Sequence, residues 1–100
     1  MAQGLILEFD GVGREQYDAV NAQLGVDQAS GGGDWPEGLV FHAGGAKPGG
    51  WVVFEVWESQ EAQAAFMHER LAPALQAGGI SGPPARAEWL ELAASTSPGG

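Results

Sequence analysis

Cysteine is absent from the chain, which excludes a disulfide framework, a thiolate nucleophile and a cysteine-ligated zinc site. Basic residues are almost as scarce: Arg14, Lys47, Arg70 and Arg86 stand against 13 Asp and Glu, for a formal net charge of −9. Affinity for nucleic acid comes largely from cations that neutralise phosphates, so four scattered ones argue against such a partner. An acidic membrane surface is disfavoured for the same reason. No apolar run approaches the roughly 18 residues needed to span a bilayer. The start MAQGLILEFDG has no basic residue and only a short apolar run, unlike a secretory signal. These features predict a soluble, cytoplasmic protein with no membrane partner.

What the chain does have is 44% hydrophobic residues and four tryptophans among 17 glycines and six prolines. That mixture describes a folded domain with generous loops rather than a disordered chain. At 100 residues it predicts one domain, over 1–92, with the tail AASTSPGG (93–100) disordered.

Leu5 to Phe9 is a short aliphatic run stopped by Asp10-Gly11, a strand and turn. Tyr17, Val20 and Leu24 recur at helical spacing across Arg14 to Leu24, with Gly25 as terminator. Val26 to Gly38, with three consecutive glycines and Trp35-Pro36, predicts a long surface loop. Leu39 to His42 and Trp51 to Trp57 predict a hairpin across the linker AGGAKPGG. Ser59 caps a helix running to about Ala77, kinked or tightened by Pro73 and ended by Gly78-Gly79. Ala85 to Leu92 alternates as an edge or half-buried strand. The order strand, helix, strand, strand, helix, strand is the ferredoxin-like α+β arrangement: an antiparallel four-stranded sheet with two helices on one face.

Along the third strand, Val52, Phe54 and Val56 alternate with Trp51, Val53, Glu55 and Trp57, and both rows are mainly apolar. Two helices cover one face only, so a second copy of the chain is the simplest cover for the other, giving a homodimer through the sheet. With His42 opposite Trp51, the row Val40, His42, Trp51, Val53, Glu55 and Trp57 shares one face. Leu39, Phe41, Val52, Phe54 and Val56 then share the opposite face. Which row lies under the helices is left open by pattern alone.

His42, on a strand among Trp and Val with Glu55 on its face, is the candidate general base; the plainer reading is a strand-end histidine bonded to a loop. Trp35, Trp51 and Trp57 are candidate walls for a planar hydrophobic ligand, or else core and interface residues. Tyr17 either points its hydroxyl into a cavity or packs in the core. On the second helix, Ala64, Met67, Leu71 and Leu75 form the expected buried stripe. His68 falls at its flank, and Phe66 almost opposite Leu71, available to a partner or ligand.

Familiar motifs fail. Gly11-Val12-Gly13 begins a dinucleotide fingerprint, but its third glycine position is Gln16. His68-Glu69 begins a zinc-protease pattern, but its second histidine position is Ala72. Two histidines with no demanding spacing predict no metal site, and nothing in the sequence calls for a cofactor.

The stretches Gly38-Leu39-Val40-Phe41-His42-Ala43-Gly44-Gly45, Gly50-Trp51-Val52-Val53-Phe54-Glu55-Val56-Trp57-Glu58-Ser59, and Phe66 with Glu69-Arg70-Leu71-Ala72-Pro73-Ala74-Leu75 resemble proteins of the antibiotic biosynthesis monooxygenase-like group. That group belongs to the dimeric α+β barrel superfamily, and the likeness covers roughly Leu5 to Leu92. It implies a homodimer built through its sheets, with a ligand cavity between sheet and helices. It also implies either a cofactor-independent monooxygenase acting on a hydrophobic aromatic, polyketide-type metabolite, or a non-catalytic ligand-binding or stress-associated dimer. Under the first reading, His42 is the base and the tryptophans are the walls. The haem-degrading branch is a poor match, because the only asparagine, Asn21, lies on the first helix and His68 follows Phe66 too closely.

Overall fold

The computed structural model describes residues 2–27, 30–80 and 84–93, so the predicted disordered tail lies, apart from Ala93, outside the described residues. The elements are β1 (Gln3–Asp10), α1 (Arg14–Leu24), the short β2 (Val26–Asp27) and β3 (Gly32–Gly33), β4 (Leu39–Lys47) and β5 (Gly50–Trp57). There follow α2 (Gln60–Phe66), a π-helical turn (Met67–Leu71), α3 (Ala72–Ala77) and β6 (Arg86–Glu91). The main sheet is antiparallel in the order β4-β5-β1-β6, with both helical segments of the core on one face. This is the ferredoxin-like α+β fold. No helix among the described residues is long and apolar enough to cross a membrane.

The row that faces the helices is Trp51, Val53, Glu55 and Trp57, joined from β1 by Leu5, Leu7 and Phe9. Val20, Phe66, Leu71 and Ala74 close over it. Helix boundaries follow local chemistry. Gln16 accepts the Gly13 N–H at the start of α1, and Gly25 ends it at φ 77°, a left-handed conformation that glycine adopts without steric cost. The Ser59 hydroxyl accepts the Ala62 N–H at the start of α2.

Four expectations need correction. The segment Val26 to Gly38 is not wholly loop, because β2 and β3 pair within it. The linker AGGAKPGG is mostly strand: β4 runs to Lys47, leaving Pro48 and Gly49 as the turn. The hairpin register therefore slides, and His42 pairs with Glu55 while Ala46 pairs with Trp51. A slide by an even number of residues leaves each side chain on its predicted face. The exception is local. An irregularity between Leu39 and Phe41 leaves Val40 57% exposed and brings Leu39 opposite Trp57, onto the helix-covered face.

The fourth correction is Phe66, which is 8% exposed and packs 5.6 Å from the Trp57 ring rather than lying on a polar face. Five residues of regular α-helix would set Phe66 and Leu71 far apart around the axis. The π turn between them accommodates one more residue, with the Ala72 N–H bonding back to the Met67 carbonyl, so both reach the core. Pro73 follows directly; it has no N–H and its ring crowds the carbonyl four residues earlier, which disfavours regular α geometry there. Ala64, placed in the buried stripe by periodicity, is exposed as a result of the same change of phase.

Candidate functional site

Between α1, the π turn, α3 and the inner sheet face lies a void of about 60 Å³ with an almost wholly apolar lining. Leu7, Phe9, Val20, Val53, Leu71 and Ile80 contribute walls, and Trp35 and Pro36 close one side. At its polar end four side chains are bonded in series. The Tyr17 hydroxyl lies 2.6 Å from His42 Nε2, and His42 Nδ1 lies 2.8 Å from Glu55 Oε2. Trp57 Nε1 donates to Glu55 Oε1 at 2.9 Å.

The strand register makes this line possible. His42 and Glu55 are directly opposed on β4 and β5, and Trp57 is two residues beyond Glu55 on the same face. Tyr17 reaches over from α1 because Gly44, opposite Val53, carries no side chain: a Cβ there would lie 2.5 Å from the Tyr17 oxygen. The Tyr17 ring also packs against Trp51, 4.8 Å away, and Trp35 lies 5.6 Å from His42.

Burial sets the energetics. The side chains of His42 and Glu55 are 12% and 6% exposed. A carboxylate that far from water costs several kcal/mol unless its oxygens are bonded, and both oxygens here accept an N–H. The Trp57 indole can only donate, so Glu55 is an acceptor there. In the tautomer whose Nδ1–H donates to Glu55, a neutral imidazole presents Nε2 as its basic nitrogen and accepts the Tyr17 hydroxyl.

The loop bearing Trp35 is fastened by Arg70 of the π turn. Its Nη2 donates to the Leu24 and Asp34 carbonyls at 2.9 and 2.6 Å and lies 3.4 Å from the Asp34 carboxylate. The guanidinium also sits over the Phe66 ring, 5.5 Å from its centroid. On the far side of this loop an open groove of about 310 Å³ is lined by Gly31, Trp35, Leu39, Val40, Phe41 and His42. Trp35, Leu39 and His42 therefore face both the groove and the inner void.

Six of the residues singled out from sequence converge on the void: Tyr17, Trp35, His42, Trp51, Glu55 and Phe66. Trp57 stands behind them, fully buried and not lining, as the donor that anchors Glu55. His68 is exposed on the π turn and lines neither space. Sequence reasoning missed Gly44, Leu39 and Arg70. Leu39 was hidden by the bulge, whereas the inner-facing parity of Leu5, Leu7 and Phe9 is a signal that points to the β1 wall.

No family model matches the chain, and no curated protein matches it. Solved structures do. One is a protein provisionally named an antibiotic biosynthesis monooxygenase, from Chloroflexus aurantiacus, 18% identical, with a TM-score of 0.65 over 99% of this chain and 100% of that one. Another is a protein of unknown function from Nitrosomonas europaea, 21% identical, with a TM-score of 0.66 over 99% of this chain and 96% of that one. The fold is shared. At these identities the likeness is one of backbone architecture, and the chemistry of the site rests on the residues described above.

Proposed function

We propose that the chain is a cytoplasmic homodimer that binds a hydrophobic small molecule and acts on it as a cofactor-independent monooxygenase, the substrate being an aromatic metabolite of polyketide type. The observation that carries the reading is the Tyr17–His42–Glu55–Trp57 line, running from the half-buried Tyr17 to the fully buried Trp57 at a polar end of an apolar interior. A packing role alone gives no reason to bury a carboxylate and an imidazole together, because apolar residues of similar volume stabilise such positions equally well or better.

The void is too small for a polycyclic ring system, so the aromatic substrate lies at the inner end of the outer groove, against Trp35 and His42. His42 is the base. Glu55 holds Nδ1–H and stabilises the imidazolium, leaving Nε2, where the Tyr17 hydroxyl now rests, as the nitrogen that takes the acidic proton once that hydroxyl is displaced. The resulting substrate anion reduces dioxygen itself. In a CH2-to-carbonyl conversion one oxygen atom enters the product and the other leaves as water, so no external reductant is required. The protein binds, deprotonates and excludes solvent.

Support for the dimer comes from the uncovered sheet face. Phe41 is 51% exposed, its ring 6.2 Å from that of Phe54, and Val40 beside it is 57% exposed. A second copy laid on this face removes that apolar area from water. The non-catalytic alternative draws on the size of the void and on the way the polar groups already bond one another.

The test is oxygen uptake by the purified protein with a panel of hydroxylated polycyclic aromatics, alongside tryptophan fluorescence quenching for binding. Turnover in the wild type and its loss in His42→Gln, with dimer and binding retained, is the expected result. Binding without any oxygen uptake across the panel selects the ligand-binding alternative.

A further inference from the structure

Two unlike spaces share Trp35, Leu39 and His42 in their linings: an open surface groove of about 310 Å³ and an inner void of about 60 Å³. An apolar cavity of about 150 Å³ takes up benzene or xenon, so a void of about 60 Å³ suits a smaller guest. Its lining offers such a guest little hydrogen bonding. His42 and Glu55 use their polar atoms on Tyr17, Trp57 and one another. The Trp51 indole nitrogen, buried and without a partner among the described residues, exposes less than 1 Å² and so presents no donor to the void. The Trp35 indole donates to the Gly31 carbonyl at 3.1 Å, and the half-buried Asn21 amide is a further polar side chain of the lining. A small cavity walled by Leu, Val, Ile and Phe favours an apolar guest over water.

We infer that the inner void is a binding site for a small apolar gas molecule, dioxygen in the proposed reaction, kept apart from the organic substrate by His42 and Trp35. The identity of the gas rests on the monooxygenase reading; the affinity of the void for an apolar gas rests on its size and lining alone. The arrangement stores the oxidant next to the imidazole that generates the substrate anion, on the side opposite the aromatic groove.

Dissolved dioxygen is paramagnetic, so methyl relaxation in a labelled sample under oxygen pressure reads its occupancy directly, and xenon provides a diamagnetic counterpart. The expected result is relaxation enhancement at Leu7, Val20 and Val53 methyls several-fold above that at Leu5, which is as deeply buried but outside the lining. Saturable xenon shifts should appear at the same methyls. Val53→Ile from the sheet and Leu75→Phe from the helix fill the void from opposite sides, and circular dichroism establishes which variant folds. Either folded variant should lose the enhancement. Enhancement no greater than at Leu5, its persistence in a folded filled variant, or water cross-peaks to the void methyls would overturn the inference. Gas binding in a protein that consumes no oxygen with any aromatic substrate would remove the proposed reaction and leave the gas site standing.

Discussion

Two glutamates on opposite faces of one sheet have opposite surroundings. Glu55 faces the helices, 6% exposed, and is bonded by His42 and Trp57. Glu8 faces outward on β1, paired with Arg86 at 2.8 Å and Lys47 at 3.4 Å, near the Asp10 and Glu88 carboxylates that those cations also meet. The outer charges are wetted and screened, so their pairing contributes little. The inner carboxylate has no water to fall back on, which makes each of its bonds obligatory. Beside its charged end the outer face is apolar at Phe41 and Phe54, while the inner face confines polarity to one line of side chains. The fold therefore separates a candidate interface from a candidate reaction site by the thickness of a single sheet.

Removing the inner carboxylate should have the largest effect. Glu55→Ala strands the His42 and Trp57 N–H groups and should cost about 3–5 kcal/mol in urea unfolding; a loss below about 1 kcal/mol would mean that the buried line is not holding its members. Next come adjacent glycines of β4. Gly44→Val drives a side chain into the Tyr17 phenol and should destabilise by about 1–3 kcal/mol, with a changed near-ultraviolet signal from the chain's single tyrosine. Gly45→Val, where a Cβ meets nothing within 4 Å, should stay within about 0.5 kcal/mol of wild type. Equal effects at the two positions would abolish the distinction between the faces.

Phe41→Asp should leave subunit stability within about 0.5 kcal/mol and convert the proposed dimer to monomer at micromolar concentration in analytical ultracentrifugation. An unchanged dimer would place its interface elsewhere. The smallest effect concerns acid. The Arg86 guanidinium, aided by Lys47, holds the Glu8 carboxyl below its ordinary value near 4.5. Its contribution to stability is complete above that value and is lost as pH falls through the lowered one. Glu8→Gln should slightly flatten the acid limb of the stability profile, and 1 M salt should do the same to the wild type.

The pattern of alternation placed His42 and Glu55 on one face even though the assumed register was wrong, because parity survives any even slide. It failed at Val40 and Leu39, where a bulge changes parity within a single residue and leaves no periodic trace. The second helix failed similarly. Helical spacing assumed 3.6 residues per turn throughout, and the π turn ahead of Pro73 turned Phe66 inward to Trp57. Arg70 was visible only as one of four scattered cations, since its partners at Leu24 and Asp34 are brought to it by the fold.

Local chemistry in the chain determined the order of the four main-sheet strands and the helices between them, the start and stop of α1, the Ser59 cap, and the presence of two apolar rows on β5, because those depend on neighbours within a turn or two. Tertiary structure alone decided which row lies under the helices, how far β4 slides along β5, and that Gly44 makes room for Tyr17 beside His42. Each of those depends on volumes and bonds between residues distant in sequence, where a shift of one residue exchanges a buried contact for a solvated one.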